Sequence, residues 1–492
     1  MFKRVVGRLI LTSAVFAGGV WLAWPRPTAG QHSGQPAQAP APAGKVEFFG
    51  TASCASMACH HFNGPKGSLR SEYSTWAAHD KHARAYAVLF NDRSVRMARN
   101  LYPESNLPAH QQPLCLKCHS TNDGKRDNAD ERFHPSDGVG CEACHGPAQK
   151  YLTAHYEPGF KGKSIDEKWK KYGLWPTKDL NWRTQLCVSC HVGDGSKEVD
   201  HDLIAAGHPR LNFEMGGYHG LYVKGGIHWK MDDERQRYPD FEARLWLLGQ
   251  LTSMKSALEL LKLRADRASG ESKLPHPDGG KSQPWPEFSE YNCFACHKGL
   301  EVDSPTQRSE YYLKRHPGSF PWGTWYFTML SGIEAQLAGQ GKPTPAADAI
   351  KKLRDLMEAA SPQEKEVGQQ AGVALAEVNK LLENVKTSKA IDTPAVKSML
   401  RTFAQQGQER GLTMDWDQAT QTYLGVAAMF HQLADVKDAS LDIKGFNEDL
   451  GKIRMRLRKA FPAGIDSPRL FDPLAVPTLA DQFKALREKA QK

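Results

Sequence analysis

Apolar residues return at helical spacing along much of this chain. Between Glu72 and Phe90, the positions Trp76, His79, Ala83, Tyr86 and Phe90 recur at i, i+3, i+7, i+10 and i+14, one face of a helix. Gly146-Pro147 opens a second, with proline suited to a first turn, and Ala148, Leu152 and His155 then share a face. Phe241–Arg267 reads as helix, and so do Gly323–Gln340, Ala346–Ala360, Gln363–Val385 and Asp415–Leu433. In the third of these last four, Ala371, Leu375, Val378, Leu382 and Val385 keep the period. In the fourth, Asp415 is a candidate N-cap with Gln418 three residues on, ahead of the stripe Ala419, Tyr423, Val426, Phe430 and Leu433. Leu101–Gln112 reads as loop, and Gln31–Gly44, rich in Pro, Ala, Gln and Gly, as a flexible linker. The fold expected is mainly α, with little regular sheet.

The cysteines change this picture. All ten fall into five pairs, and a histidine follows the second member each time. Four pairs have the form Cys-x-x-Cys-His: Cys115, Cys118 and His119; Cys141, Cys144 and His145; Cys187, Cys190 and His191; Cys293, Cys296 and His297. The first is wider, with four residues between Cys54 and Cys59 before His60. Such a spacer can loop out without moving the Cys-His end. By composition alone, the five coincident histidines have odds on the order of 10⁻⁷. Zinc sites do not require histidine directly after each pair. The signature is that of c-type haem attachment: two thioethers hold the porphyrin edge and the histidine is the proximal iron ligand. Five covalent haems are expected, which leaves no thiol for a disulfide or a catalytic cysteine.

Haem also explains the composition. Mean hydropathy is −0.55 and only 40% of residues are hydrophobic, lean for 492 residues. Each porphyrin adds a large apolar surface that acts as core. The formal charge of +9 is offset by about ten propionates, so the basic pI argues for neither nucleic acid nor a membrane surface as partner. The lysine run Lys161–Lys171 is open to two readings, a solvated stretch or a dock for an acidic redox protein. Lys3, Arg4 and Arg8 precede the uncharged apolar run Leu9–Trp24, so residues 1–30 read as a signal peptide or a membrane anchor. Both readings place the body outside the cytoplasm. Residues 31–46 then form the linker, 47–322 a pentahaem cytochrome domain, and 323–492 a haem-free helical domain for docking, oligomerisation or covering haem edges. No cysteine follows Cys296, and 18 of the 19 histidines lie at or before His316.

Several histidines are candidates for the distal side of the irons. His79 and His82 both border the apolar face of the first helix. His155 points from the second helix to where the cofactors must lie. His208 stands between Gly207, which permits close approach, and Pro209, which favours extended backbone. The Gly-rich stretch Gly216–Trp229 adds His219 and His228.

The haem region resembles the cytochrome c-552/c-554 family of multihaem cytochromes, whose haem packing is related to that of hydroxylamine oxidoreductase. The resemblance rests on Tyr73-Ser74-Thr75-Trp76 with His82-Ala83-Arg84-Ala85-Tyr86, on Gly140-Cys141-Glu142-Ala143-Cys144-His145-Gly146-Pro147-Ala148, and on Ala206-Gly207-His208-Pro209-Arg210-Leu211. It spans about residues 50–300. It implies closely stacked haems, favours His82 over His79, supports His155 and His208 as distal ligands, and leaves His228 and His201 as further candidates. The wide first motif and the count of five depart from the family's tetrahaem carriers.

Bis-histidine ligation suits electron transfer, because neither oxidation state needs to gain or lose a ligand. The Cys-x-x-Cys-Lys motif of the pentahaem nitrite reductases is absent. The expectation is an extracytoplasmic carrier between redox proteins, its oligomeric state open. The alternatives are an oxidoreductase with one five-coordinate haem acting on a small nitrogen or sulfur oxyanion, and a scaffold subunit of a redox complex. No P-loop or Ser/His/Asp constellation stands out.

Overall fold

The computed structural model describes residues 47–276, 284–297, 319–338, 343–410, 415–460 and 479–491. The apolar run and linker before residue 47 lie outside the described residues. Helix, 3₁₀ turns included, makes up 65% of the described residues. Among the described residues there is no sheet, only isolated bridges such as Phe48 with Ala129. The fold is mainly α. No described helix is long and apolar enough to cross a membrane.

The haem-motif half is built from short helices and turns. Its α-helices are α1 (Glu72–His79), α2 (Asp92–Leu101), α3 (Pro113–His119), α4 (Cys141–His145), α5 (Ile165–Tyr172), α6 (Leu180–His191), α7 (His201–Ala206), α8 (Met215–Gly225) and α9 (Met231–Arg237). The long α10 (Phe241–Ala268) and the short α11 (Cys293–His297) follow. The C-terminal part holds α12 (Leu330–Ala338), α13 (Pro345–Met357), α14 (Glu364–Thr387), α15 (Thr393–Arg410), α16 (Trp416–Asp435), α17 (Ile443–Lys459) and α18 (Ala480–Gln491).

Three predicted helices differ from what forms. In the stretch Gly323–Gln340, residues 323–329 form turns and bends and the helix begins only at Leu330, while residues 339–340 lie outside the described residues. The stretch from Glu72 to Phe90 is not continuous: α1 stops at His79, Asp80 is extended, and two 3₁₀ turns follow. Asp80 ends the helix because its carboxylate accepts the backbone N–H of His82 at 2.9 Å, an N-cap in place of another turn. After Pro147 only 3₁₀ turns form, at Ala148–Lys150 and Ala154–Tyr156. The predicted N-cap of α16 does form, with Asp415 accepting from Gln418 N at 2.9 Å.

The core sits around α10. Its apolar residues face every direction, from Trp246 and Leu251 to Leu258 and Leu261, all essentially inaccessible, as befits a central helix. It packs along α14 and also against α6, α8 and α16. One apolar cluster runs from Leu180 and Val188 of α6 through α10 to Phe430, Phe446 and Phe483 near the C-terminus. Each such buried side chain contributes about 1.5–3 kcal/mol. The haem-motif segment from α6 onward and the C-terminal helices therefore share one core.

Candidate haem sites

Four of the five motifs lie on helices. In α3, α4 and α11, and at the C-terminal end of α6, the two cysteines are three residues apart and the histidine four from the first. That spacing sets both thiols and the imidazole on one face of a single turn. The first motif differs. His60 N donates to Ser56 O at 3.1 Å, so the turn is kept with Ser56 in the place of a first cysteine, and Cys54 lies two residues further back. The thiols of different motifs approach one another. Cys54 lies close enough to Cys141 for each thiol to affect the other's ionisation, and so does Cys118 to Cys190. Burial pushes the thiols of Cys144 and Cys187 up to about 12.

Each short helix is tied in place. Glu142, inside the third motif, is 2% exposed. Its carboxylate accepts the N–H groups of Phe49 at 2.9 Å, Gly50 at 2.7 Å and Ala148 at 2.6 Å. Gly146 ends α4 at φ 80°, where a Cβ would stand 2.6 Å from the Trp175 ring. The indole of Trp76 on α1 donates to Val139 O at 3.1 Å, and Val139 N donates to His82 O at 3.1 Å. The loop of His82 is thereby fixed against the approach to the third motif. Gly207, at φ 129°, approaches Met97 of α2, and its carbonyl accepts from Arg93 at 2.6 Å.

Three proximal histidines face three of the distal candidates. Ring centroids are 6.1 Å apart for His60 and His155, 6.0 Å for His191 and His82, and 6.4 Å for His119 and His208. A metal–imidazole bond of about 2 Å, with the ring centre about 1 Å behind its nitrogen, sets two trans imidazoles about 6 Å apart. The residues thus fit a six-coordinate iron at each pair.

The tautomers fit as well. Nδ1 is tied in five of these six rings: to Glu72 in His60 at 2.9 Å, to Asp80 in His82 at 3.0 Å, to Ala85 O in His119 at 2.7 Å, to Leu152 O in His155 at 2.8 Å and to Pro209 O in His208 at 2.8 Å. Such second partners hold a metal-binding histidine by one nitrogen and leave Nε2 for the metal. Burial holds the basicity of His119, His191 and His208 below the ordinary value, that of His191 to about 4, so these rings are neutral at pH 7. His60 goes up through its bond to Glu72. In His82, burial acts downward and Asp80 outweighs it.

Residues 53–146 match the family model for cytochrome c554 and c-prime. No curated protein and no solved structure matches the chain. The cytochrome c554-like segment holds the first three motifs and His82. It supports a c-type cytochrome role and, with it, covalently bound c-type haem. His155, His208 and the last two motifs lie beyond it.

The remaining candidates sit differently. His79 is exposed on α1. His145, lowered to about 4 by burial, pairs with no second imidazole at this spacing among the described residues. His228 is near enough to act on its charge, but its Nε2 is 2.6 Å from Asp80 Oδ2. His201, the first residue of α7, stands edge-on to Phe288 at 5.7 Å, just before the fifth motif, whose His297 is exposed. Of the lysine run, Lys163 pairs with Glu167 and Lys170 with Asp166 on α5. Sequence reasoning missed Asp80, Glu142 and Glu72 as supports. The only signal for them was an acid two residues before His82 and another within the third motif.

Proposed function

We propose that this chain is an extracytoplasmic pentahaem cytochrome that passes electrons between redox proteins. The observation that carries the reading is the set of three facing imidazole pairs, each spaced for one iron, with Nδ1 engaged in five of the six rings. When bound, haem supplies a one-electron ferric/ferrous couple. The chain does the rest. Each pair of imidazoles would hold one haem iron through two nitrogens, which would leave no place for a substrate at those three irons. Hydrogen bonds to Nδ1 hold five of the six rings in place, so little would rearrange when a bound haem changed oxidation state. The proximity of Cys54 to Cys141, and of Cys118 to Cys190, favours sites close enough for electrons to pass between them. The cytochrome c554-like segment and the basic, then apolar, N-terminal run support export from the cytoplasm.

His145 favours a second reading, an oxidoreductase acting on a small nitrogen or sulfur oxyanion. No facing imidazole accompanies it among the described residues, while Asp80 holds His228 and Tyr222 as hydrogen-bonding groups nearby. One experiment separates the two. EPR of the oxidised holoprotein should give only low-spin ferric signals, and the reduced protein should ignore carbon monoxide. A high-spin haem that binds carbon monoxide would replace the carrier with the enzyme.

A further inference from the structure

The turn at residues 324–326 and the first turn of α16 grip the chain just past His208. Arg210 donates from Nη1 to Asp417 Oδ2 at 2.8 Å. Tyr326 donates its hydroxyl to the Leu211 carbonyl at 2.7 Å, and the Trp325 indole donates to the Phe213 carbonyl at 3.0 Å. Asp417 lies in the first turn of α16 and is 0% exposed, and the same Oδ2 accepts from Thr324 Oγ1 at 2.8 Å. The network continues to the fifth motif. Asn292, just before Cys293, donates to Asp415 Oδ2 at 3.0 Å and to Thr324 Oγ1 at 3.3 Å, while its own Oδ1 accepts from Phe294 N at 2.9 Å.

A carboxylate so deeply buried carries a large desolvation penalty, which is offset only while its partners stay in place. The Asp417 site therefore favours one position of Arg210 strongly over others. Arg210 is two residues from His208, and Pro209 between them stiffens the link. On the other side of His208, the Gly207 carbonyl is held by Arg93 of α2. The imidazole thus sits on a short span fixed at both ends, with Nδ1 held by Pro209 O.

We infer that Asp417 is a positioning residue for His208, acting through Arg210, and that the first turn of α16 locks the His208 loop and the fifth motif to one another. This gives the haem-free helices a part in ligand geometry at sites formed by the other half of the chain. It rests on the reading of His208 as an iron ligand.

The test uses full-length holoprotein with haem content measured per chain. Asp417→Asn should keep the haem content but gain a high-spin ferric signal and carbon monoxide binding at one additional haem. Arg210→Met combined with Asp417→Leu leaves no unpaired charge, and should give the same signature in a chain that folds readily. Asp449→Asn, which breaks the ion pairs of Asp449 with Lys452 of α17 and Lys489 of α18, should lower the melting temperature and leave the spectrum alone. A parent-like spin state and carbon monoxide response in either folded Asp417 variant overturns the inference, since a purely structural ion pair predicts that outcome. His208→Ala separates the two levels. If it too leaves every haem low-spin, the ligand reading itself fails; if it creates the open haem and the Asp417 variants do not, only the positioning role fails.

Discussion

The two oxygens of Asp80 take hydrogen bonds from His82, Tyr222 and His228. A buried carboxylate on the Nδ1 side of a ligand makes the imidazole a stronger donor and stabilises the ferric state. His119 and His208 have only neutral carbonyls in that place. Asp80→Asn should therefore raise the midpoint potential of one haem and leave the others in place, as read by spectroelectrochemistry. Unchanged potentials throughout would argue against His82 as a ligand. The ring planes offer an independent check. His60 and His155 are near parallel at 12°, whereas the other two pairs cross at 81° and 87°. Low-temperature EPR should show one rhombic low-spin species beside two strongly axial ones, and a uniform set would contradict the pairing. Sequence suggested His82, His155 and His208 through helical faces and neighbouring Gly and Pro. It could not suggest Asp80, because its partners Tyr222 and His228 lie more than 100 positions away and no periodicity links them.

Short elements depend on single polar anchors. Glu142 stabilises three backbone N–H groups from two segments, so Glu142→Ala should cost about 2–4 kcal/mol, seen as a lower denaturant midpoint. Glu198 plays a comparable part beyond the fourth motif, where it pairs with Arg264 and Arg267 of α10. Burial pushes its carboxyl up, but the two guanidiniums outweigh this and hold it below the ordinary value. A carboxylate held low contributes stability that is complete above the unfolded value of about 4.3 and disappears as pH falls through the lower folded value. Glu198→Gln should lose roughly 3–5 kcal/mol at neutral pH and show a shallower acid-unfolding profile. An unchanged profile would mean the ion pairs do not form in solution. The long helices α10, α13, α14 and α16 were legible because their apolar periods extend over many turns. Helix α1 was overread because the stripe continues through Asp80, where a local cap wins over periodicity.

For the whole molecule, the shared core matters more than any sequence boundary. Gly425 of α16 lets Trp246 of α10 approach so closely that a Cβ there would be 2.9 Å from the indole. A chain ending at residue 322 would expose Trp246, Leu251 and Leu258 to water. It should fail to show a cooperative melt by circular dichroism, and a parent-like transition would refute the idea of one core. The composition shift after Cys296 was legible; the packing of α10 against α14 was not, since apolar stripes do not name their partners. One last feature bears on how such a protein is made. Cys54 lies near Cys141 and Cys118 near Cys190, in a chain we propose to be exported to oxidising surroundings. Folding ahead of cofactor attachment would bring thiols of different motifs together and invite crosswise oxidation. Maturation then becomes a race between ligation and air, which a supply of reductant and a chain kept open until its haems arrive would win.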